Sequence, residues 1–567
     1  MKHCNAIFRL MDFISLEQQE AASFDLDLPL LISAAPGSGK TSVIAARVAF
    51  IQGRLPSHPI ACISFTNVAS KELRSRITSP PNVWCGTLHK LAIRVTTAST
   101  SFSKRLGTPN QIFKAFVAAC KRHKVEFDED NESSDDNTTP WEIAGNASRA
   151  FNTFTRQRET GVFADSATLA INSYFDEELD KLGISDLYTL MTTATRLLLN
   201  PSDELTSWLR ENISFVLVDE AQDCSVQQWR FLHALTAGLK LTVVGDPNQQ
   251  IFAFSGAAGF QSIFREIFPR GNICRLSLNF RSIPKIVNIA CKIHAHSCVA
   301  RNSQVDGFAR IHLFPPGPAM LNFVASEITR MKKDFDLKNS DFAVLSRLNA
   351  AAQRTASALC AAGLRSGAAK ISQTEEFVFA VFTLSGDPGN SKAFTACMNI
   401  PSFGLTAKIK DSMSLRNIHD NFSALALKKS ELNKLRIFQE TIIKVIDSVK
   451  RMKPREAVLH VLKTLHLSMS DSVIELLGDA AGCESLAELV EARSGKITVS
   501  TIHSSKGTEK EAVFVIDCDA DVIPLEGCEL NGERNVMYVA VTRARRFLWL
   551  LGSARRPSIF LEELMHK

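Results

Sequence analysis

Ala34-Ala35-Pro36-Gly37-Ser38-Gly39-Lys40-Thr41 follows the apolar run Leu30-Leu31-Ile32 and precedes Ile44, Val48 and Ile51, which recur at helical spacing. A strand that enters a glycine-rich turn and opens a helix is the setting of a phosphate-binding loop. Glycines let backbone N–H groups wrap a phosphate chain, and the helix start adds positive potential. In such a loop Lys40 reaches the β- and γ-phosphates and the Thr41 hydroxyl ligates Mg²⁺. The expected nucleotide contacts are therefore Ala34, Ala35, Pro36, Gly37, Ser38, Gly39, Lys40, Thr41 and Ser42, with Ala34 standing where the usual pattern has its first glycine.

At 567 residues the chain is too long for one core, and its length predicts roughly three or four domains or subdomains. Hydrophobic residues at 45% and charged residues at 22% exclude a largely disordered chain. No transmembrane run or signal peptide is legible, so a cytoplasmic location is expected. Thirteen cysteines without a Cys-x-x-Cys pair read as reduced thiols. Cys291, His294, His296 and Cys298 bring soft ligand types together, although their spacing continues a helical pattern from Ile286 rather than that of a paired metal site. A net charge of +6 permits a polyanionic partner without requiring one.

Strand-like runs recur at Ala61 to Phe65, Phe215 to Val218, Leu241 to Val244, Phe342 to Leu345 and Ala512 to Ile516, as parallel strands of α/β layers do. Residues 91–189 read as an inserted subdomain holding a solvated acidic stretch, Phe127 to Asp136. A composition shift at Pro388 to Ser391 opens a helix-patterned stretch to about residue 491, with Leu432, Leu435, Ile442, Ile443, Val445 and Ile446 in register.

The apolar strand Phe215-Val216-Leu217-Val218 ends in Asp219-Glu220-Ala221-Gln222-Asp223. An acid at the end of such a strand holds Mg²⁺ through water, and the next one orients and deprotonates the water that attacks the γ-phosphate. Asp219 and Glu220 take these roles, and hydrolysis joins binding.

Asp219 to Asp223 resembles the second motif of superfamily 1 DNA helicases of the UvrD, Rep and PcrA type, and further motifs follow in order. Gln18 matches the glutamine that reads adenine. Ser64-Phe65-Thr66-Asn67-Val68-Ala69-Ser70 resembles motif Ia and Trp84-Cys85-Gly86-Thr87-Leu88-His89 motif Ib. Val244 to Phe252 is similar to motif III, where Gln249 would sense the γ-phosphate. Leu278-Asn279-Phe280-Arg281-Ser282 resembles motif IV, with Phe280 stacking on adenine and Arg281 at the γ-phosphate. Ser346-Arg347-Leu348-Asn349 looks like motif IVa, and Thr501 to Glu509 like motif V, where Glu509 would meet the ribose. Met537 to Ala544 resembles motif VI, with Arg543 as the second phosphate arginine. Lys40, Glu220, Gln249, Arg281 and Arg543 would carry catalysis, and ATP with Mg²⁺ is the implied cofactor pair.

The resemblance implies an α/β fold of two RecA-like P-loop NTPase domains, parallel sheets flanked by helices, each with a mainly helical insertion. It divides the chain into 1A (1–90 and 190–285), 1B (91–189), 2A (286–389 and 492–567) and a shortened 2B (390–491). Single-stranded DNA would meet Phe65, Thr66, Asn67, Thr87, His89, Phe252, Phe254, Arg347, Thr501 and His503, with the aromatic rings stacking on bases. Ser255 stands where motif III often carries arginine, and Phe252 and Phe280 replace tyrosines. The implied activity is ATP-driven 3′ to 5′ travel on single-stranded and tailed duplex DNA. Little sequence follows Arg543, so a nuclease or repair protein partner would be another chain. The rival expectation is a DNA-stimulated ATPase that serves as a sensor subunit of a partner nuclease, as helicase-like components of Gabija-type phage defence resemble. An RNA-directed motor is a second rival.

Overall fold

The computed structural model describes residues 15–566 apart from 78–81, 100–103, 126–146, 161–162, 164, 238, 252–258, 295–297, 302–304, 369–372, 401–402, 404, 406–408, 410–427, 466, 468 and 470. Phe252, Phe254, Ser255, His296 and the acidic stretch from 127 to 136 lie outside the described residues.

Six strands form the first sheet: β1 (Leu30–Ala34), β2 (Ile60–Ile63), β3 (Val83–Gly86), β4 (Phe215–Val218), β5 (Lys240–Gly245) and β6 (Asn272–Leu276). Their order is β3-β2-β4-β5-β1-β6, and every neighbouring pair is parallel. A second sheet contains β7 (Phe308–Phe314), β8 (Phe342–Ser346), β9 (Ser366–Ala368), β10 (Ile497–Thr501), β11 (Lys510–Val515) and β12 (Ala544–Ser553). It is also parallel, in the order β7-β12-β11-β8-β10-β9.

Parallel sheets need helices on both faces, which is why β2, β4 and β8 read as unbroken apolar runs. All four residues of β2 and β4 and all five of β8 are buried. In the first lobe one face packs on helix Lys40–Arg54 through Val43, Ile44 and Val48, and the other on helices Leu88–Ala98 and Leu187–Leu199.

Each lobe carries an insertion with a core of its own. Between β3 and β4, helices Pro109–Arg122, Ala147–Thr160 and Ser166–Lys181 close around Phe116, Phe154 and Phe175. Between β9 and β10, helices Gln373–Gly386, Ser391–Cys397, Lys429–Val449, Pro454–Thr464, Asp471–Ala481 and Leu486–Ser494 share one core. The Pro388 to Ser391 composition shift falls at the turn between the first two of these helices, and both feed that core through Phe377, Val381, Phe394 and Met398. The architecture is that of tandem RecA-like P-loop domains with helical insertions.

Candidate active site between the lobes

In an open parallel sheet, ligands meet the loops at the carboxyl ends of the strands. The chemistry-bearing loops leave β1, β4 and β5 at that edge. Because β5 runs between β1 and β4, its loop falls between the phosphate loop and the acidic pair.

Gly37 and Gly39 take φ values of +71° and +79°, where glycine alone is unstrained. A Cβ on Gly37 would lie 2.6 Å from Cβ of Arg281, and one on Gly39 would lie 2.5 Å from Nε2 of Gln18. Both glycines thus let other parts of the site close onto the loop. Gln18 is buried in helix Leu16–Ser23, fixed by a capping box with Ser15, and donates through Nε2 to the Ser38 carbonyl at 2.8 Å. The expected adenine reader therefore also braces the loop. Ser38 Oγ is buried with no hydrogen-bond partner among the described residues, and two side-chain-free positions line the same cradle, so the loop fits a phosphate chain. Thr41 and Ser42 lie in the first turn of helix Lys40–Arg54.

Asp219 and Glu220 follow β4 directly. The Glu220 N–H donates to Asp219 Oδ1 at 3.0 Å, Lys40 Nζ stands 3.9 Å from Glu220 Oε1, and Gln222 Nε2 donates to Oε2. Burial pulls the Glu220 carboxyl up, yet Lys40, Lys506 and Gln222 outweigh it and hold it at about 2. Burial and the adjoining Glu220 charge push Asp219 up to about 7. Glu220 is thus the ionised acceptor, and Asp219 is a buried acid whose charged form a divalent cation would favour.

Gln222 Oε1 accepts from the Asp246 N–H at 3.1 Å, Gln249 Nε2 donates to Asp246 Oδ2 at 2.8 Å, and Arg543 Nη2 donates to Gln249 Oε1 at 3.2 Å. Gln249 therefore connects the acidic loop to the second lobe. Arg543 is almost wholly buried and anchored on the Val539 and Thr508 carbonyls. Burial, then repulsion from Arg281, lowers it to about 9, so it stays charged at neutral pH. Arg281 donates to the Thr542 carbonyl at 3.1 Å and pairs with Glu509, which Arg545 also holds. Two arginines that repel each other across a buried cleft form a receptor for an anion.

Residues 278 to 282 tie the pieces together. Asn279 Nδ2 donates to the Pro36 carbonyl at 2.7 Å, the Phe280 N–H to the Gly37 carbonyl at 2.8 Å, and Ser282 Oγ to the Ala544 carbonyl at 2.6 Å. Arg301 lies over the half-buried Phe280 ring, 5.2 Å from its centroid.

This constellation has counterparts. The UvrD/REP helicase N-terminal domain matches residues 15–263, and the UvrD-like helicase C-terminal domain matches residues 404–554. The chain belongs to the UvrD/PcrA-type superfamily 1 helicases. ATP-dependent DNA helicase PcrA of Bacillus subtilis (strain 168) is 25% identical across 97% of this chain and 84% of its own length. PcrA of Leuconostoc citreum is 25% identical across 94% and 83%, and PcrA of Staphylococcus aureus (strain Mu50) is 23% identical across 98% and 86%.

The residues expected to meet single-stranded DNA lie at or just past the ends of strands in both sheets. Phe65, Thr66 and Asn67 follow β2, Thr87 and His89 follow β3, Arg347 follows β8, and Thr501 ends β10, with His503 just beyond. Thr66 and Thr87 accept from the N–H groups of Ala69 and Lys90, capping helices Asn67–Arg76 and Leu88–Ala98. Burial lowers both His89 and His503, the latter to about 4. Arg347 is engaged by Glu533 through Nη2 at 2.8 Å and Nε at 3.1 Å, so an expected strand contact is here part of an ion pair. Sequence reasoning assigned no role to Lys506, Asp223, Asn279, Arg545 or Glu533. Lys506 and Asp223 stand inside recognised motifs, but only the fold reveals that they meet.

Among the described residues no group of three His, Cys, Asp or Glu side chains forms a metal site. Cys291 Sγ donates to the Cys298 carbonyl, and the His294 ring packs edge-on against Tyr538. No helix among the described residues is long and apolar enough to cross a membrane.

Proposed function

We propose that this chain is an ATP-dependent 3′ to 5′ DNA translocase and helicase, and that Lys40, Glu220, Gln249, Arg281 and Arg543 carry its hydrolysis. Family membership brings ATP-driven helicase or translocase activity. The observation that supports the assignment of residues is the convergence of phosphate loop, acidic pair, Gln249 and two arginines where the lobes meet.

Bound ATP and Mg²⁺ would supply the reacting phosphoryl group and its charge clamp, with Gln18 and Phe280 at the base, Glu509 at the ribose, and Thr41 and Asp219 toward the metal. Lys40 neutralises phosphate charge. Glu220, kept ionised, accepts a hydrogen bond from the attacking water and orients it. Arg281 and Arg543 stabilise charge on the transferring group, and because Arg543 sits in the second sheet's connections, that stabilisation requires a closed cleft. Gln249, bonded to both Asp246 and Arg543, carries the state of the phosphate to the β5 loop. Repeated closure and opening would step Phe65, Thr87, His89, Arg347, Thr501 and His503 along a single strand. β1 and β2 are three strand spacings apart, roughly 14 Å, so nucleotide and strand occupy separate stretches of one sheet edge.

The same convergence of residues between the two sheets also serves a DNA-stimulated ATPase that regulates a separate nuclease. Steady-state ATP hydrolysis with and without single-stranded DNA and RNA, with Lys40→Ala as the blank, tests the motor reading. Stimulation by DNA above RNA is expected; hydrolysis indifferent to either polymer would overturn it. A location in the cytoplasm accords with this reading.

A further inference from the structure

Cys62 on β2 and Cys85 on β3 are direct register partners in adjacent parallel strands. Such partners send their side chains to the same face of the sheet, and both belong to the apolar layer beneath helix Lys40–Arg54. Neighbouring strands lie about 4.8 Å apart, within the Cα separation of about 4.4–6.8 Å that a disulfide spans. Among the described residues no other two cysteines are ladder partners. Cys62 is fully buried, whereas Cys85 lies half-buried on the edge strand, where a small oxidant reaches it.

The mutual influence of the two thiols lowers Cys85, helped by Arg74 against the effect of burial, and raises Cys62. Cys85, on the edge strand, is thus the accessible thiol of the two, and Cys62 is shielded. Burial instead raises Cys120, Cys224, Cys397 and Cys518.

We infer that Cys62 and Cys85 are a peroxide-responsive pair that closes to an intramolecular disulfide at the root of the two loops proposed to hold the DNA strand. In the first step the Cys85 thiolate attacks one oxygen of hydrogen peroxide and the O–O bond breaks. The departing hydroxide takes a proton to become water, and Cys85 becomes a sulfenic acid. Cys62 Sγ then displaces the sulfenic hydroxyl, the S–S bond forms, and the lost hydroxyl and the Cys62 proton leave as a second water. Two electrons pass from the thiols to the peroxide. A dithiol reductant reverses the change.

The consequence rests on the motor reading above. Two residues past Cys62 the chain enters Ser64-Phe65-Thr66, and two past Cys85 it reaches Thr87, the cap of helix Leu88–Ala98. A disulfide draws the two sulfurs to about 2.05 Å, which shifts the ends of the paired strands β2 and β3 from which both loops leave.

The full-length reduced protein, treated with hydrogen peroxide, alkylated and cut with trypsin, separates the two cysteines because Lys71, Arg74 and Arg76 lie between them. The expected product is a Cys62 peptide joined to a Cys85 peptide, released by dithiothreitol. Cys62→Ser leaves instead a dimedone-reactive sulfenic acid at Cys85, and Cys85→Ser gives neither. DNA-stimulated hydrolysis falls several-fold in step with the cross-link and recovers on reduction. Alkylated Cys85 alongside oxidised Cys360 or Cys528, or a Cys291 to Cys298 link in its place, would overturn the pair. A mapped disulfide with undiminished DNA stimulation would overturn its effect on the track. Peptide mapping needs no motor activity, and DNA-stimulated hydrolysis by the reduced protein tests the motor reading separately.

Discussion

Lys506 places Nζ 2.6 Å from both carboxylate oxygens of Asp223, across the cleft between the lobes. The same ammonium donates to the Gln249 carbonyl at 2.8 Å. One cation from the second lobe therefore joins the end of the acidic loop to the loop after β5. Burial pushes Asp223 up and Lys506 pulls it back, leaving it at about 6. Removing one member of a buried pair costs about 3–5 kcal/mol, because the other is left without compensation. Lys506→Ala is expected to lower kcat for ATP at least about tenfold, which is only about 1.4 kcal/mol of that loss expressed in the barrier. Lys506→Arg should recover part of it. Steady-state hydrolysis measured beside thermal melting checks this, and unchanged turnover in a folded Lys506→Ala protein would count against the latch.

Glu220→Gln keeps the shape and the Gln222 contact but removes the charge. Turnover should fall by about 10²–10⁴, the usual worth of a positioned base, with nucleotide binding retained. Equilibrium titration with a fluorescent ATP analogue separates the two, and retained turnover would take the role from Glu220.

Arg543→Ala and Arg281→Ala should each act on kcat far more than on KM. A cis arginine at a transferring phosphoryl group is worth about 10³–10⁵. A large rise in KM with kcat intact would mean that these guanidiniums bind the ground state only.

Gly37→Ala would place a methyl group 2.6 Å from Cβ of Arg281 and force a left-handed φ on alanine. The backbone term alone is about 1–2 kcal/mol. Loss of ATP affinity with a lowered melting temperature is expected; wild-type affinity would show that the loop relaxes freely.

The local rules explain how much was legible beforehand. Strands buried on both faces, such as β2 and β4, announce themselves as apolar runs, and the phosphate loop and Asp219-Glu220 follow from the chemistry at their ends. The Cys62 register with Cys85, the Lys506 pair with Asp223 and the Glu533 hold on Arg347 join residues distant in sequence, so no periodicity reveals them. Helix Gln373–Gly386 carried little amphipathic signal because its residues are apolar nearly all round, as in a helix inside a core. Thr66 and Thr87 read as strand contacts, yet each hydroxyl is also a helix cap.

Half-buried His503 lies near Arg347 and Lys506, and its folded value of about 4 is below the unfolded one near 6.5. Between those values the unfolded chain binds more protons, so His503 makes stability fall as pH drops from 6.5 toward 4. Above that range its contribution is constant. Urea unfolding at about pH 7.5 and about pH 5, on either side of the unfolded value, should show a smaller pH penalty for His503→Gln than for wild type. Equal penalties would remove His503 as a source.

Strand displacement tests the central claim most directly, on duplexes bearing a 3′ tail, a 5′ tail or no tail, with ATP and with Lys40→Ala as the blank. The account predicts displacement of the 3′-tailed duplex alone, abolished in Lys40→Ala. DNA-stimulated hydrolysis without displacement, or displacement led from the 5′ tail, would contradict it.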